Sequence, residues 1–67
     1  MDVRDRVGAN VKRLREAKGL SQEQLAFDAD MHRTYVSGIE RGKRNPTVTV
    51  LERLAAALGA TSSELLG

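Results

Sequence analysis

Apolar residues recur along this chain of 67 residues with the period of a helix, and no stretch alternates long enough for a strand. Val3, Val7, Val11 and Leu14 step by four, four and three, one stripe of an amphipathic helix. Lys18-Gly19 ends it, with a cation in the last turn and a glycine at the stop. A second, shorter pattern at about 22–28 has Leu25 and Ala26 on one face, continued by Ala29. Met31, Val36 and Ile39 supply the apolar face of a third, at about 33–41. Gly42-Lys43-Arg44-Asn45-Pro46 keeps no period and is expected to be a loop. Thr47 is placed to cap a fourth helix whose buried face is Val48, Leu51, Leu54, Ala55 and Leu58, with Gly59 at its end. Thr61 and Glu64 have the spacing of a capping box in front of Leu65-Leu66. The pattern predicts an all-α fold, a compact bundle of about five short helices in a single domain over residues 1–67.

The stretch from Leu20 to Gly42 is the most specific. Ser21 with Gln24 three residues on is a second capping box. Asp30 falls where the chain must turn sharply, and aspartate tolerates the left-handed backbone better than most residues with a side chain. Beyond it, Arg33, Thr34, Ser37 and Gly38 lie between the apolar positions of the third helix, on its other side. Two short helices around a tight turn (about 21–41), the second with a polar outer face and basic flanks, are what a major-groove DNA reader requires.

Composition narrows the alternatives. With no cysteine there is no disulfide scaffold and no thiolate metal site. No apolar run approaches the ~20 residues of a membrane span, and the start MDVRDR is unlike a secretory signal, so a cytoplasmic protein is expected. The net charge of +2 carries little weight, but its distribution does. Arg33, Arg41, Lys43 and Arg44 cluster with only Glu40 against them, and Lys12, Arg13, Arg15 and Lys18 form a second group. Such clustering is an electrostatic footprint for a polyanion, although solvated surface charge has the same composition.

Catalysis finds no support. His32 is the single histidine, and no partner is spaced to build a metal site with it. Asp28 and Asp30 lack the further oxygens of a calcium loop, Ser37 has no base spaced to activate it, and Gly38 and Gly42 are too isolated for a phosphate loop. A chain this short also leaves little room for a substrate pocket. No cofactor, metal or small-molecule ligand is expected.

The same positions assign roles toward duplex DNA. Arg33 and Thr34 open the third helix, the end that reaches base edges; an arginine there can pair with guanine O6 and N7, and the competing role for Arg33 is an ion pair with Asp30. Ser37 and Gly38 lie one turn on and are candidates for the same groove. Glycine inside a helix costs about 1 kcal/mol against alanine, so Gly38 implies a close approach, by DNA or by a neighbouring helix. Ser21 and Gln22 are candidate phosphate contacts at a helix start, with an exposed helix former as the alternative for Gln22. Lys43, Arg44 and Asn45 are candidates for phosphates from the loop. Tyr35 is left between a phosphate contact and a cap on the core; Phe27, off the apolar face, is expected half exposed.

Three words, LREAKGLSQEQLA (14–26), YVSGIERGKRNP (35–46) and LERLAAALG (51–59), give the chain a strong resemblance to the Cro/CI-type helix-turn-helix family, also called the XRE family of bacterial and phage repressors. The segment HRTYVSGIERGKRN (32–45) is most similar to the small controller proteins of restriction–modification systems. The resemblance implies a lambda-repressor-like domain with Gln22 at a phosphate and Arg33, Thr34 and Ser37 or Gly38 in the major groove. It also implies an ion pair between Arg15 and Glu40 that fixes the reading helix against the first. Family members usually have Gly where Asp30 stands and Ser or Thr where His32 stands, so this chain departs at the turn and at the cap. His32 is then a candidate for a phosphate or base instead. The expected function is a transcriptional regulator acting as a homodimer on a near-palindromic operator, with Leu65 and Leu66 as candidate dimer contacts unless they close the core. The alternatives are an antitoxin-type DNA binder and a protein-interaction module on the same fold.

Overall fold

Helices α1 (Val3–Ala17), α2 (Gln22–Asp28), α3 (Arg33–Glu40), α4 (Val48–Leu58) and α5 (Ser62–Leu66) follow one another in a computed structural model that describes residues 2–67. No strand occurs among the described residues. The N-caps explain where each helix starts. Ser21, Thr47 and Thr61 each accept a hydrogen bond from the backbone N–H three residues on, and the boxes with Gln24 and Glu64 are both complete. Asp2, which the periodicity passes over, caps α1 by accepting from the Arg4 N–H at 2.8 Å. Arg4 also donates to the Asp2 carboxylate, which lowers its pKa below the ordinary aspartate value. At the start of α3, His32 has the extended backbone of a cap but makes no side-chain capping bond.

The helix ends share one device. After α1 to α4 the chain closes with a six-to-one and a five-to-two backbone hydrogen bond, for α2 Met31 N–H to Ala26 C=O at 2.9 Å and Asp30 N–H to Phe27 C=O at 3.2 Å. That closure needs a left-handed residue. Glycine supplies it after α1, α3 and α4, but after α2 it is Asp30, at φ 57°, the only non-glycine with positive φ among the described residues. The turn between the two motif helices is therefore a helix stop built on the residue type least averse to it after glycine and asparagine.

The core takes Val7 and Val11 from α1, Leu25 and Ala26 from α2, Val36 and Ile39 from α3, four residues of α4, and Leu65 from α5. Leu25, Ile39, Leu54 and Leu65 have no exposed surface, each contributing about 1.5–3 kcal/mol by burial. α1 lies against α3 and α5, and α2 against α3 and α4, so α3 is braced from two sides while its remaining face is left open. Two apolar positions expected on buried faces are not buried: Val3 is exposed, and Val48 is 73% exposed. Each is the first residue of its helix, where the stripe runs past the edge of the body it packs on. Leu65 is wholly buried between α5 and the rest, and Asn10 Nδ2 donates to its carbonyl at 2.9 Å. It closes the core and offers nothing to a partner; Leu66 remains exposed.

Candidate nucleic-acid interface

One buried cluster fixes α3 to the rest of the molecule. The Glu40 side chain is only 4% exposed, and its carboxylate accepts from Arg15 Nε at 2.6 Å and Nη2 at 3.0 Å. The pair is bidentate, the geometry that gives guanidinium–carboxylate bonds direction as well as strength. Arg15 Nη1 donates to the Leu20 carbonyl at 2.8 Å, and Gln22 Nε2 donates to Glu40 Oε1 at 3.0 Å. α1, the following loop, α2 and the last turn of α3 are thus joined through one carboxylate. The hydrogen bonds that Arg15 donates to Glu40 raise the Arg15 pKa against the opposing effect of desolvation. A cation whose pKa rises on folding contributes its stabilisation below the pKa of the free guanidinium, which includes neutral pH.

The cluster changes two sequence-level readings. Arg15 is not part of a free basic patch: its charge is spent on Glu40, the partner that the family resemblance implies. Gln22 is neither an idle helix former nor a fully free phosphate ligand: it is half-buried, with one amide hydrogen on Glu40 and a second one unused. Ser21 is exposed, but its hydroxyl oxygen is committed to the Gln24 N–H at 3.0 Å.

Beyond the brace, α3 shows its open face. Arg33 and Thr34 are exposed at its first turn, with Ser37 half-buried one turn on. The ion pairs among the described residues are Arg4–Asp2 and Arg15–Glu40, so Arg33 does not pair with Asp30. His32, Lys43, Arg44 and Asn45 are also exposed, flanking the two ends of the helix. Gly38 is buried, and the side chain that approaches it is that of Arg44. The Arg44 guanidinium carbon lies 5.9 Å from the centroid of the half-buried Tyr35 ring. Tyr35 also packs against the core, so its two candidate surroundings meet in one residue.

A residue absent from the sequence reading positions the site from below. Gly8 of α1 is buried directly under the end of α3, where a β-carbon would run into the Ile39 carbonyl oxygen and stand 2.8 Å from that of Glu40. A glycine inside a helical pattern, next to Val7 and one turn before Val11, is the sequence signal for it. On α2, Phe27 is 85% exposed rather than half exposed, and the shallow hollows around it carry both acidic and basic side chains, Glu23, Asp28 and Asp30 with His32 and Arg33. No group of three or more His, Cys, Asp or Glu suited to a metal occurs among the described residues, and no helix there is long and apolar enough to cross a membrane.

Known proteins share the sequence and the fold. A family profile described as helix-turn-helix (HTH_3) matches residues 11–66. The control protein C.MunI of a Mycoplasma species is 49% identical over 65 residues, covering 96% of this chain and 88% of its own. An HTH-type transcriptional regulator of Sinorhizobium fredii, y4dJ, is 48% identical over 66 residues, covering 98% of this chain and 86% of its own. Among solved structures, the restriction–modification controller protein C.AhdI of Aeromonas hydrophila superposes with a TM-score of 0.90 at 45% identity, over 92% of this chain and 94% of that one.

Proposed function

The chain belongs to the HTH_3 (XRE-type) helix-turn-helix family of DNA-binding transcriptional regulators, and on that premise we propose that it reads a near-palindromic operator as a homodimer. The observation that carries this reading is the open face of α3. Its exposed Arg33 and Thr34 have no partner within the described chain, while the helix beneath them is held by the buried Arg15–Glu40–Gln22 cluster. Donors fixed on a rigid element and left unspent suit base recognition, because little ordering remains to be done on contact.

In this reading Arg33 and Thr34 meet base edges, with Ser37 at the margin of the same surface. His32, Lys43 and Asn45 meet phosphates, and Gln22 offers its remaining amide hydrogen to one. One eight-residue helix touches too few base pairs for useful selectivity, so two copies are set about one helical turn, ~34 Å, apart. Leu66, exposed at the C-terminal helix, is the side chain proposed for the contact between copies. The protein acts in the cytoplasm, where bacterial operators are. Its relatives named as controller proteins favour a restriction–modification controller over a phage-type repressor or an antitoxin.

Arg33 provides the test. In a selection of duplexes from a random pool, Arg33→Ala should return the wild-type site with preference lost at one guanine per half-site. On the wild-type site the loss should be about 1–3 kcal/mol for each half-site. A variant that weakens every duplex equally would make Arg33 a phosphate contact and remove it from the reading face.

A further inference from the structure

The chain leaving α3 does not trail into solvent. Lys43 N–H donates to the Gly38 carbonyl at 2.9 Å and Gly42 N–H to that of Ile39 at 3.0 Å, which folds the backbone over the last turn of the helix. Gly42, at φ 73°, makes that fold possible. Arg44 comes next, and its aliphatic stem crosses Gly38 so closely that a β-carbon there would stand 2.7 Å from Cγ and 3.7 Å from Cδ. The guanidinium then reaches the face of the Tyr35 ring, at a distance where a cation and an aromatic ring attract. Arg44 takes part in neither of the ion pairs of the described residues, and no hydrogen bond from its guanidinium is formed among them.

A loop arginine ordinarily samples many rotamers, and all but one must be given up on binding. Here the side chain is already held along the helix, one turn beyond Thr34. We propose that Gly38 and Tyr35 are positioning residues for Arg44, which they hold on the flank of α3 so that its guanidinium meets duplex DNA already ordered. This rests on the DNA-binding reading above and assigns Gly38 a task that needs no contact with DNA. The glycine is there to leave room for the arginine. Because the atoms in its way belong to a flexible side chain, alanine at position 38 can be accommodated by the fold, but only by moving Arg44 aside.

The test uses a duplex selected from a random pool by the wild-type protein. Affinity is measured for Arg44→Ala, Gly38→Ala, the double variant, Tyr35→Phe and Tyr35→Leu, together with the melting temperature of each. Arg44→Ala is expected to lower affinity about tenfold for each half-site, as loss of one charged contact per copy does. Gly38→Ala should lose a comparable factor while melting no lower than wild type, since alanine is the better helix former. The double variant should bind no worse than Arg44→Ala alone, because both substitutions remove the same contact. Tyr35→Phe keeps the ring and should retain affinity, whereas Tyr35→Leu should lose it. The proposal is overturned if Gly38→Ala binds like wild type or melts lower, if the two single losses multiply in the double variant, or if Tyr35→Phe is as impaired as Tyr35→Leu. Failure of the wild-type protein to bind any duplex at low salt would contradict the DNA-binding reading instead, so the two are distinguishable.

Discussion

Replacing Glu40 with alanine should cost about 3–5 kcal/mol of folding stability, the penalty for stranding a buried charge. A domain of 67 residues has only about 3–10 kcal/mol in total, so this single change brings it to the edge of unfolding at room temperature. The size of the effect comes from what remains behind. Arg15, with a side chain 12% exposed, would keep its charge and lose both carboxylate bonds, and the Gln22 amide would lose its acceptor. Removing both charges is a different experiment. In Arg15→Met/Glu40→Leu no charge is stranded, and most of the lost stability should return. Urea denaturation of the wild type, Glu40→Ala and the double variant separates the two situations. If Glu40→Ala loses less than 1 kcal/mol, the pair is solvated and does not brace α3.

Gly8→Ala should destabilise the domain by about 2 kcal/mol even though alanine is the stronger helix former by about 1 kcal/mol. The added carbon meets the carbonyl oxygens of Ile39 and Glu40, which are backbone and cannot swing away as a side chain does. α1 has to lift from α3, loosening the contact next to the Arg15–Glu40 pair. In a domain this small a loss of that size lowers the melting temperature by about 8–16 °C. A thermal melt of Gly8→Ala beside Gly38→Ala makes the comparison internal, since one substitution meets main chain and the other a movable arginine. Equal melting temperatures for the two would show that α1 and α3 are not in the close contact described.

The difference between these glycines shows what a single sequence can express. Both occupy helix interiors and both break the propensity rule, which marks them as sites of close approach without saying what approaches. The helices themselves were legible because period and capping are local: Ser21, Thr47 and Thr61 cap the helices their spacing predicts. The left-handed turn at Asp30 was legible for the same reason. Contacts between distant residues were not. Leu65 and Leu66 are equivalent in pattern, yet packing against α1 and α4 buries the first completely and leaves the second exposed. From pattern alone Arg15 and Gln22 read as free polar surface: the pair of Arg15 with Glu40, 25 residues away, enters only through the family resemblance, and the Gln22 bond to Glu40, 18 residues away, through neither. Arg44 likewise reads as loop charge, and only the folded-back chain lays it across Gly38.

Engagement of duplex DNA by the open face of α3 and its basic flanks is read out by the salt dependence of duplex binding. Phosphate neutralisation releases condensed counterions, so the logarithm of the affinity should fall linearly with the logarithm of salt concentration, with a slope of about −0.9 per phosphate contacted. Taking Lys43 and Arg44 of each copy as the cations that neutralise phosphates, about four per dimer, the slope should be about −3.6 on its selected site. Random duplex should be bound more weakly at every salt concentration. A protein that binds no duplex at low salt, or binds with no salt dependence, would contradict the account and leave the fold as a protein-interaction module.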